Sequence, residues 1–176
     1  NWKRSREEVD GLMKLFRSYL KKCMKSAEKN KMRVKVIGDI SAFDEDIQDK
    51  IRKLEDFSKD YNELFFQIAL NYGSRDEILR GVRKLAGDVA QGRLDPGEID
   101  EGVFENYLDT AGIPDPDLMI RTSGELRLSN FLLWQLAYTE FYFTDVPWPD
   151  FHKPELMKAI EKYNERDRRY GGVKEE

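Results

Sequence analysis

Short apolar runs alternate with amphipathic helical stretches along most of this chain, and that alternation limits the folds open to it. Leu64 to Leu70 (Leu-Phe-Phe-Gln-Ile-Ala-Leu) is nearly continuous apolar sequence, the pattern of a strand covered on both faces. It stops at Asn71-Tyr72-Gly73, and Ser74-x-x-Glu77 then reads as a capping box opening a helix. The same order recurs elsewhere. Val34, Val36 and Ile37 form a short strand ending at Gly38-Asp39, and a helix follows from about Asp44 with Ile47, Ile51 and Leu54 on its inner face. Upstream, Ser5-x-x-Glu8 starts a first helix whose Val9, Leu12, Met13, Phe16, Leu20, Met24 and Ala27 recur at helical spacing. Cys23 lies beside that stripe, where core packing is its expected role.

The second half continues the theme. Gly92, Pro96 and Gly97 mark a turn before a short helix around Glu98 to Tyr107, and Pro114 and Pro116 lead into a strand at Leu118-Met119-Ile120. A helix is predicted from near Ser129, a strand over Glu140 to Phe143, and a last helix from Pro154 to about Arg169. The expected fold is therefore one α/β domain over residues 1–176, with a central, mostly parallel sheet, helices on both faces and right-handed crossovers.

Composition removes several function classes. The 176 residues are 40% hydrophobic and 36% charged, with a net charge of −4, so nothing draws the chain globally to nucleic acid or anionic membrane. One cysteine excludes disulfides and cysteine-zinc sites and favours a reducing, cytoplasmic setting. His152 is the only histidine, with no partners suited to a hydrolase triad or a multi-histidine metal site. No apolar run spans a bilayer, and the Asn1-Trp2-Lys3-Arg4 opening is not a signal peptide.

The chemically informative stretch is Ile120-Arg121-Thr122-Ser123-Gly124-Glu125-Leu126-Arg127-Leu128-Ser129-Asn130. It leaves the C-terminal end of a buried strand, the edge where open α/β sheets bind ligands. The predicted helix over Phe131-Leu132-Leu133-Trp134 would offer N–H groups and a partial positive charge to a phosphate. Arg121 and Arg127 add guanidinium forks, Thr122, Ser123 and Ser129 add hydroxyls, and Gly124 lets the backbone approach closely. A diphosphate cradle and a solvated loop, with Ser129 capping and Glu125 paired to an arginine, are both compatible with these residue types. Neither G-x-G-x-x-G nor G-x-x-x-x-G-K-S/T occurs, which points away from nucleotides.

Asp117 to Gln135 resembles the long C-terminal signature of the cis-prenyltransferases, above all the bacterial undecaprenyl diphosphate synthases. The likeness runs on through Tyr138, Glu140, Phe143-Thr144-Asp145 and Trp148-Pro149-Asp150-Phe151. Asn71-Tyr72-Gly73-Ser74-Arg75 is similar to the family's N-Y-G-x-R segment, and Arg169-Tyr170-Gly171 to its R-x-G motif. Asn1, Trp2 and Arg4 match the end of a further block.

The resemblance implies chain elongation with Z double bonds, condensing isopentenyl diphosphate with an allylic diphosphate such as farnesyl diphosphate. The implied product is undecaprenyl diphosphate, the lipid carrier of cell-wall synthesis, which partitions to the membrane and brings the enzyme to its inner face. Arg121, Arg127 and Ser129 are implied to bind isopentenyl diphosphate, with Arg169 and Gly171 completing the site in a homodimer. Trp2 and Arg4 are implied substrate contacts, Asn1 an aid to proton removal, and Glu140 a ligand of Mg²⁺.

Leu64, Phe66, Ile68 and Leu70 would line the product tunnel, or else form plain sheet core, with Leu12, Phe16 and Leu20 closing the other side. The family's D-G-N-x-R-W-A motif, which holds the main catalytic aspartate, does not occur in this sequence. By itself the chain is thus expected to be N-terminally incomplete and inactive.

Two alternatives were open. A non-catalytic activating subunit of a heteromeric enzyme is opposed by the presence of Arg121, Arg127, Ser129 and Glu140 together. The trans-prenyltransferases carry D-D-x-x-D on an all-helical fold; Asp44-Glu45-Asp46 with Asp49 is the nearest imitation, and it sits where a helix start is predicted.

Overall fold

The computed structural model describes residues 5–166, which fall into two compact units that divide between Ala111 and Gly112. The first unit is built on two parallel strands, β1 (Met32–Ile37) and β2 (Leu64–Ala69), paired from Met32 opposite Leu64 to Ile37 opposite Ala69. Around them lie α1 (Arg6–Asn30), α2 (Glu45–Ser58), α3 (Ser74–Ala90) and the short α4 (Glu101–Glu105). The second unit pairs β3 (Leu118–Arg121) with β4 (Glu140–Phe143), again parallel, and ends with α5 (Lys153–Asn164). The α/β class with parallel strands is as expected; among the described residues the strands pair as two two-stranded sheets.

Periodicity explains the first core. Ile47, Ile51 and Leu54 recur on one stripe of α2 and are buried, together with Leu20, Cys23 and Ala27 of α1 and Met32 and Val34 of β1. Ser5 caps α1 through the expected box: its hydroxyl accepts from the Glu8 N–H while the Glu8 carboxylate takes the Ser5 N–H. α2 also finishes the outer edge of β1. The Ser58 hydroxyl accepts from Val34 N–H at 3.0 Å and the Glu55 carboxylate from Val36 N–H at 2.8 Å. Two ladder donors that would otherwise invite another strand are thereby satisfied.

Several local expectations are revised. β2 is not covered on both faces: Leu64 and Phe65 are 51% and 53% exposed. Asp44 precedes α2 as predicted but makes no capping bond; its carboxylate accepts from Arg17 at 2.6 Å, and Asp46 takes Arg17 and Lys50. The acidic cluster is therefore spent on cations. Ser74 is the first residue of α3, behind Gly73, and Glu77 turns inward rather than back to a cap. The short helix expected over Glu98 to Tyr107 is a 3₁₀ turn, Pro96–Glu98, and the five residues of α4. α5 closes at Asn164, earlier than the sequence suggests.

Glu77 is fully buried because a polar network needs it. The Tyr72 hydroxyl donates to its carboxylate, which also accepts from the Asp109 N–H at 2.9 Å. Asp109 in turn accepts from both Nη atoms of Arg80, at 2.8 and 2.7 Å, and from the Gly38 N–H at 2.9 Å. One carboxylate thus ties the end of β1 to α3. Burial pushes the Asp109 carboxyl up, but the Arg80 guanidinium and the Gly38 N–H outweigh it, and the net direction is down.

A carboxylate held lower in the folded state than in the unfolded chain stabilises the fold above its unfolded value, about 3.9. That stability is lost as pH falls through the folded value. Asp109→Asn should therefore lower the unfolding midpoint at pH 7 and flatten its fall below pH 4, as urea titrations across pH would show.

Candidate active site

The end of β3 is the chemical focus of the second unit. Arg121 is its last residue, and the chain then turns sharply at Ser123 (φ +67°) and Gly124 (φ +68°). This turn is pinned to the chain leaving β4: Thr144 N–H donates to Arg121 O, Gly124 N–H to Thr144 O and Ser123 N–H to Val146 O, each at 3.0 Å. Glycine suits position 124: the backbone there is one that L residues rarely adopt, and a Cβ would stand 3.0 Å from the Asp145 carboxylate.

The Arg121 Nε is buried and, among the described residues, has no hydrogen-bond partner. A buried N–H left unpaired costs about 1–3 kcal/mol. In a guanidinium the missing partner is an acceptor, and a phosphate oxygen satisfies it with a charge-assisted bond. Arg127 is exposed and paired with Glu125, the interaction that the loop reading foresaw. Ser129 is exposed.

No helix follows. Residues 129–139 run as turns, with Ser129, Asn130 and Leu132 all at positive φ (51°, 62° and 47°). The anion site proposed at a helix N-terminus is therefore corrected: no helix dipole acts here, and the positive charge comes from the two arginines. Three non-glycine residues in left-handed conformations so close together cost on the order of 1–2 kcal/mol each. Backbone strain of this kind concentrates at ligand sites.

Glu140 is not beside this cradle. It opens β4 opposite Leu118, whereas Arg121 pairs with Phe143 at the other end of the ladder. Its carboxylate is paired with Arg166, which also donates to Phe141 O at 2.8 Å. Among the described residues no three or more His, Cys, Asp or Glu side chains gather into a metal site. Glu140 alone is one carboxylate, which suits an ion such as Mg²⁺ that takes one or two protein carboxylates and fills its shell with substrate phosphates and water. Asn1, Trp2, Arg4, Arg169 and Gly171 lie outside the described residues.

Of the tunnel candidates, Leu64, Phe66 and Ile68 share one face of β2 with Met32, Val34 and Val36 of β1. Phe66 and Ile68 pack against the core and Leu70 is part of it, while Leu64 stands open at the start of the strand. Sequence reasoning missed Arg166, whose role shows only once α5 lies against β4. It also missed the Arg80–Asp109 pair, whose members are 29 residues apart. No local pattern signals either.

A parallel α/β scaffold with two arginines on the turn after one strand is compatible with an enzyme that handles diphosphates, and comparison with known proteins narrows it. Residues 1–171 match the family described as "Putative undecaprenyl diphosphate synthase". The isoprenyl transferase of Clostridium perfringens is 47% identical over 99% of this chain and 69% of its own length. That of Brucella suis is 48% identical over 98% and 68%. Lavandulyl diphosphate synthase from Lavandula x intermedia, solved with dimethylallyl diphosphate, superposes with a TM-score of 0.92 at 40% identity, over 97% of this chain and 74% of the other. A probable undecaprenyl diphosphate synthase from Campylobacter jejuni gives 0.84 at 34% identity, over 97% and 78%.

The chain belongs to the undecaprenyl diphosphate synthase family of cis-prenyltransferases. Its activity is cis-prenyl chain elongation, and the accessory-subunit alternative is not favoured.

Proposed function

We propose that the turn after β3 binds the diphosphate of isopentenyl diphosphate, with Arg121 as its principal donor. The observation that carries this is the buried Arg121 Nε without a partner, at the strand end pinned by Thr144 and Val146. Arg127 would exchange its pairing with Glu125 for phosphate oxygens, and the Ser129 hydroxyl would donate to the same group. In the reaction the isopentenyl double bond attacks C1 of the allylic substrate, the allylic C–O bond breaks, diphosphate leaves and a proton is lost with Z geometry. The part of these residues is to fix the attacking substrate and balance its charge.

Farnesyl diphosphate as primer, an undecaprenyl product and a homodimer belong to the same reading, supported by the relatives' names and the neighbour's bound allylic diphosphate. A divalent cation suits two diphosphates, whose own oxygens can fill much of its shell. Among the described residues no helix is long and apolar enough to cross a membrane. Membrane association would then rest on the long apolar product, released at the inner face from a cytoplasmic enzyme.

Arg127→Ala tests the reading. The expected result is a rise in the isopentenyl diphosphate KM of roughly tenfold, the worth of one charge-assisted contact, with the KM for the allylic substrate unchanged. Ordinary kinetics would remove Arg127 from the site. Leu64→Ala tests the tunnel: longer products by chromatography are expected, and an unaltered ladder would leave Leu64 as sheet surface.

A further inference from the structure

β1 and β2 run parallel, so their carboxyl ends, Ile37 and Ala69, lie on one edge of the first unit's sheet. Open α/β sheets bind ligands outside that edge. The two turns that leave it are tied to each other. Asp39 N–H donates to Asn71 O at 3.4 Å, and Asn71 Nδ2 donates to Asp39 O at 2.8 Å. Asn71 keeps this arrangement at φ +46°, a left-handed backbone of the kind that gathers beside ligands.

Both turns are also anchored from behind by one polar network. The Asp109 Oδ2 accepts from Gly38 N–H at 2.9 Å and from one Nη of Arg80 at 2.7 Å, while Oδ1 takes the other Nη at 2.8 Å. The Asp109 N–H donates to Glu77 Oε1 at 2.9 Å, and the other Glu77 oxygen accepts from the Tyr72 hydroxyl. Residue 109 thus reaches the turn after β1 directly and the turn after β2 through Glu77. Glu77 is completely buried, and the Asp109 side chain is only 14% exposed. Burying charges in this way is a poor route to stability, because desolvation cancels much of the attraction. What directional bonds add is a single fixed place for each turn.

We propose that Asp109 and Arg80 are positioning residues for the prenyl transfer, holding the turns after β1 and β2 in the arrangement that meets substrate at this edge. The inference rests on the prenyl-transfer reading above. Neither side chain touches the substrate; both act through Gly38, Asp39 and Asn71. An amide at position 109 turns an N–H donor towards either the Gly38 N–H or an Nη of Arg80, so one bond of the fork is lost. The turn after β1 is then released, and the Asp39–Asn71 bonds pass the movement to the turn after β2.

The experiment compares D109N, R80K and the double variant in the enzyme. Lysine keeps the charge at position 80 and cannot make the fork. Folded fraction and melting temperature come from circular dichroism, and kcat and both KM values are taken per folded molecule, well below melting. Positioning predicts a kcat roughly tenfold lower in each single variant, since small misplacements remote from the chemistry are costly. The double variant should be no worse than the poorer single one, because residues acting as a unit are non-additive. The isopentenyl diphosphate KM should stay within about twofold, its binding being assigned to the turn after β3.

Ordinary kcat in folded D109N and R80K would reduce the network to framework and overturn the proposal. So would losses that multiply in the double variant, or a change confined to the isopentenyl diphosphate KM. If D109N does not fold, R80K alone decides: an unchanged kcat overturns the proposal, and a lowered kcat with that KM unchanged supports it. If the unaltered enzyme makes no Z-prenyl product from these substrates, the underlying reading fails instead.

Discussion

Arg121→Met should lower kcat/KM for isopentenyl diphosphate by roughly 10²–10³-fold, the usual cost of losing one preorganised donor to a charged group, while leaving the protein at least as stable as before. The two halves of this expectation come from one observation. The Nε of Arg121 is buried and unpartnered, so the folded protein without substrate carries a desolvated donor that nothing repays. Methionine matches the length of the arginine stem and removes the orphan group. The backbone bond from Thr144 N–H to Arg121 O does not depend on the side chain, so the turn should survive.

Stability traded for function in this way is common at binding sites. Urea unfolding and steady-state kinetics on the same preparation check both halves. Arg121→Lys should recover only part of the activity, because an ammonium group has no Nε–H and cannot reproduce the planar fork. A stable, fully active Arg121→Met enzyme would show that the donor has no ligand to meet.

Gly38→Ala should have the largest effect on folding, at least about 3–4 kcal/mol, the range reserved for strain that the surroundings cannot relieve. Gly38 follows β1 with φ +107°, a conformation that costs an alanine heavily. A Cβ there would also sit 2.2 Å from the carbonyl oxygen of Leu70 and 3.1 Å from Cα of Tyr72. Both obstacles are backbone and cannot rotate aside.

The neighbouring bonds allow no retreat either. Leu70 N–H donates to Ile37 O at 2.9 Å, Gly38 N–H to Asp109 at 2.9 Å, and Asn71 Nδ2 to Asp39 O at 2.8 Å. Moving Gly38 means breaking the crossing that joins the ends of β1 and β2. A urea midpoint close to that of the unaltered protein would mean that this crossing is far softer than its geometry suggests.

Much of the fold is legible in the sequence. The stripe of Ile47, Ile51 and Leu54, the Ser5–Glu8 box and the burial of Cys23 follow from helical spacing, because a helix must hide its apolar face. The strands at 32–37, 64–69 and 118–121 appear where apolar runs stop shortly before glycine or follow proline, and the strand at 140–143 where an aromatic run was expected to extend. The signature around Arg121 pointed to the family, since so long a run of residues in one order does not recur by chance.

Other features depended on groups far apart in sequence. Periodicity suggested a helix after Ser129, but the backbone there passes through left-handed conformations that apolar spacing does not encode. Glu77 had the spacing of a cap and became the buried centre of a network, because Tyr72 and the Asp109 N–H stand ready to receive it. Strand register places Glu140 at the other end of the ladder from Arg121, where its carboxylate is paired with Arg166, a contact that no spacing along the chain signals.

The order of residues by itself determined which segments become helix or strand, and which turn carries the arginines, because these depend on local periodicity and on donors close together in the chain. Only the tertiary structure decided which charges meet. Ion pairs such as Arg80–Asp109 and Arg166–Glu140 form when separate elements pack, and their energy depends on distance and burial that no spacing along the chain specifies.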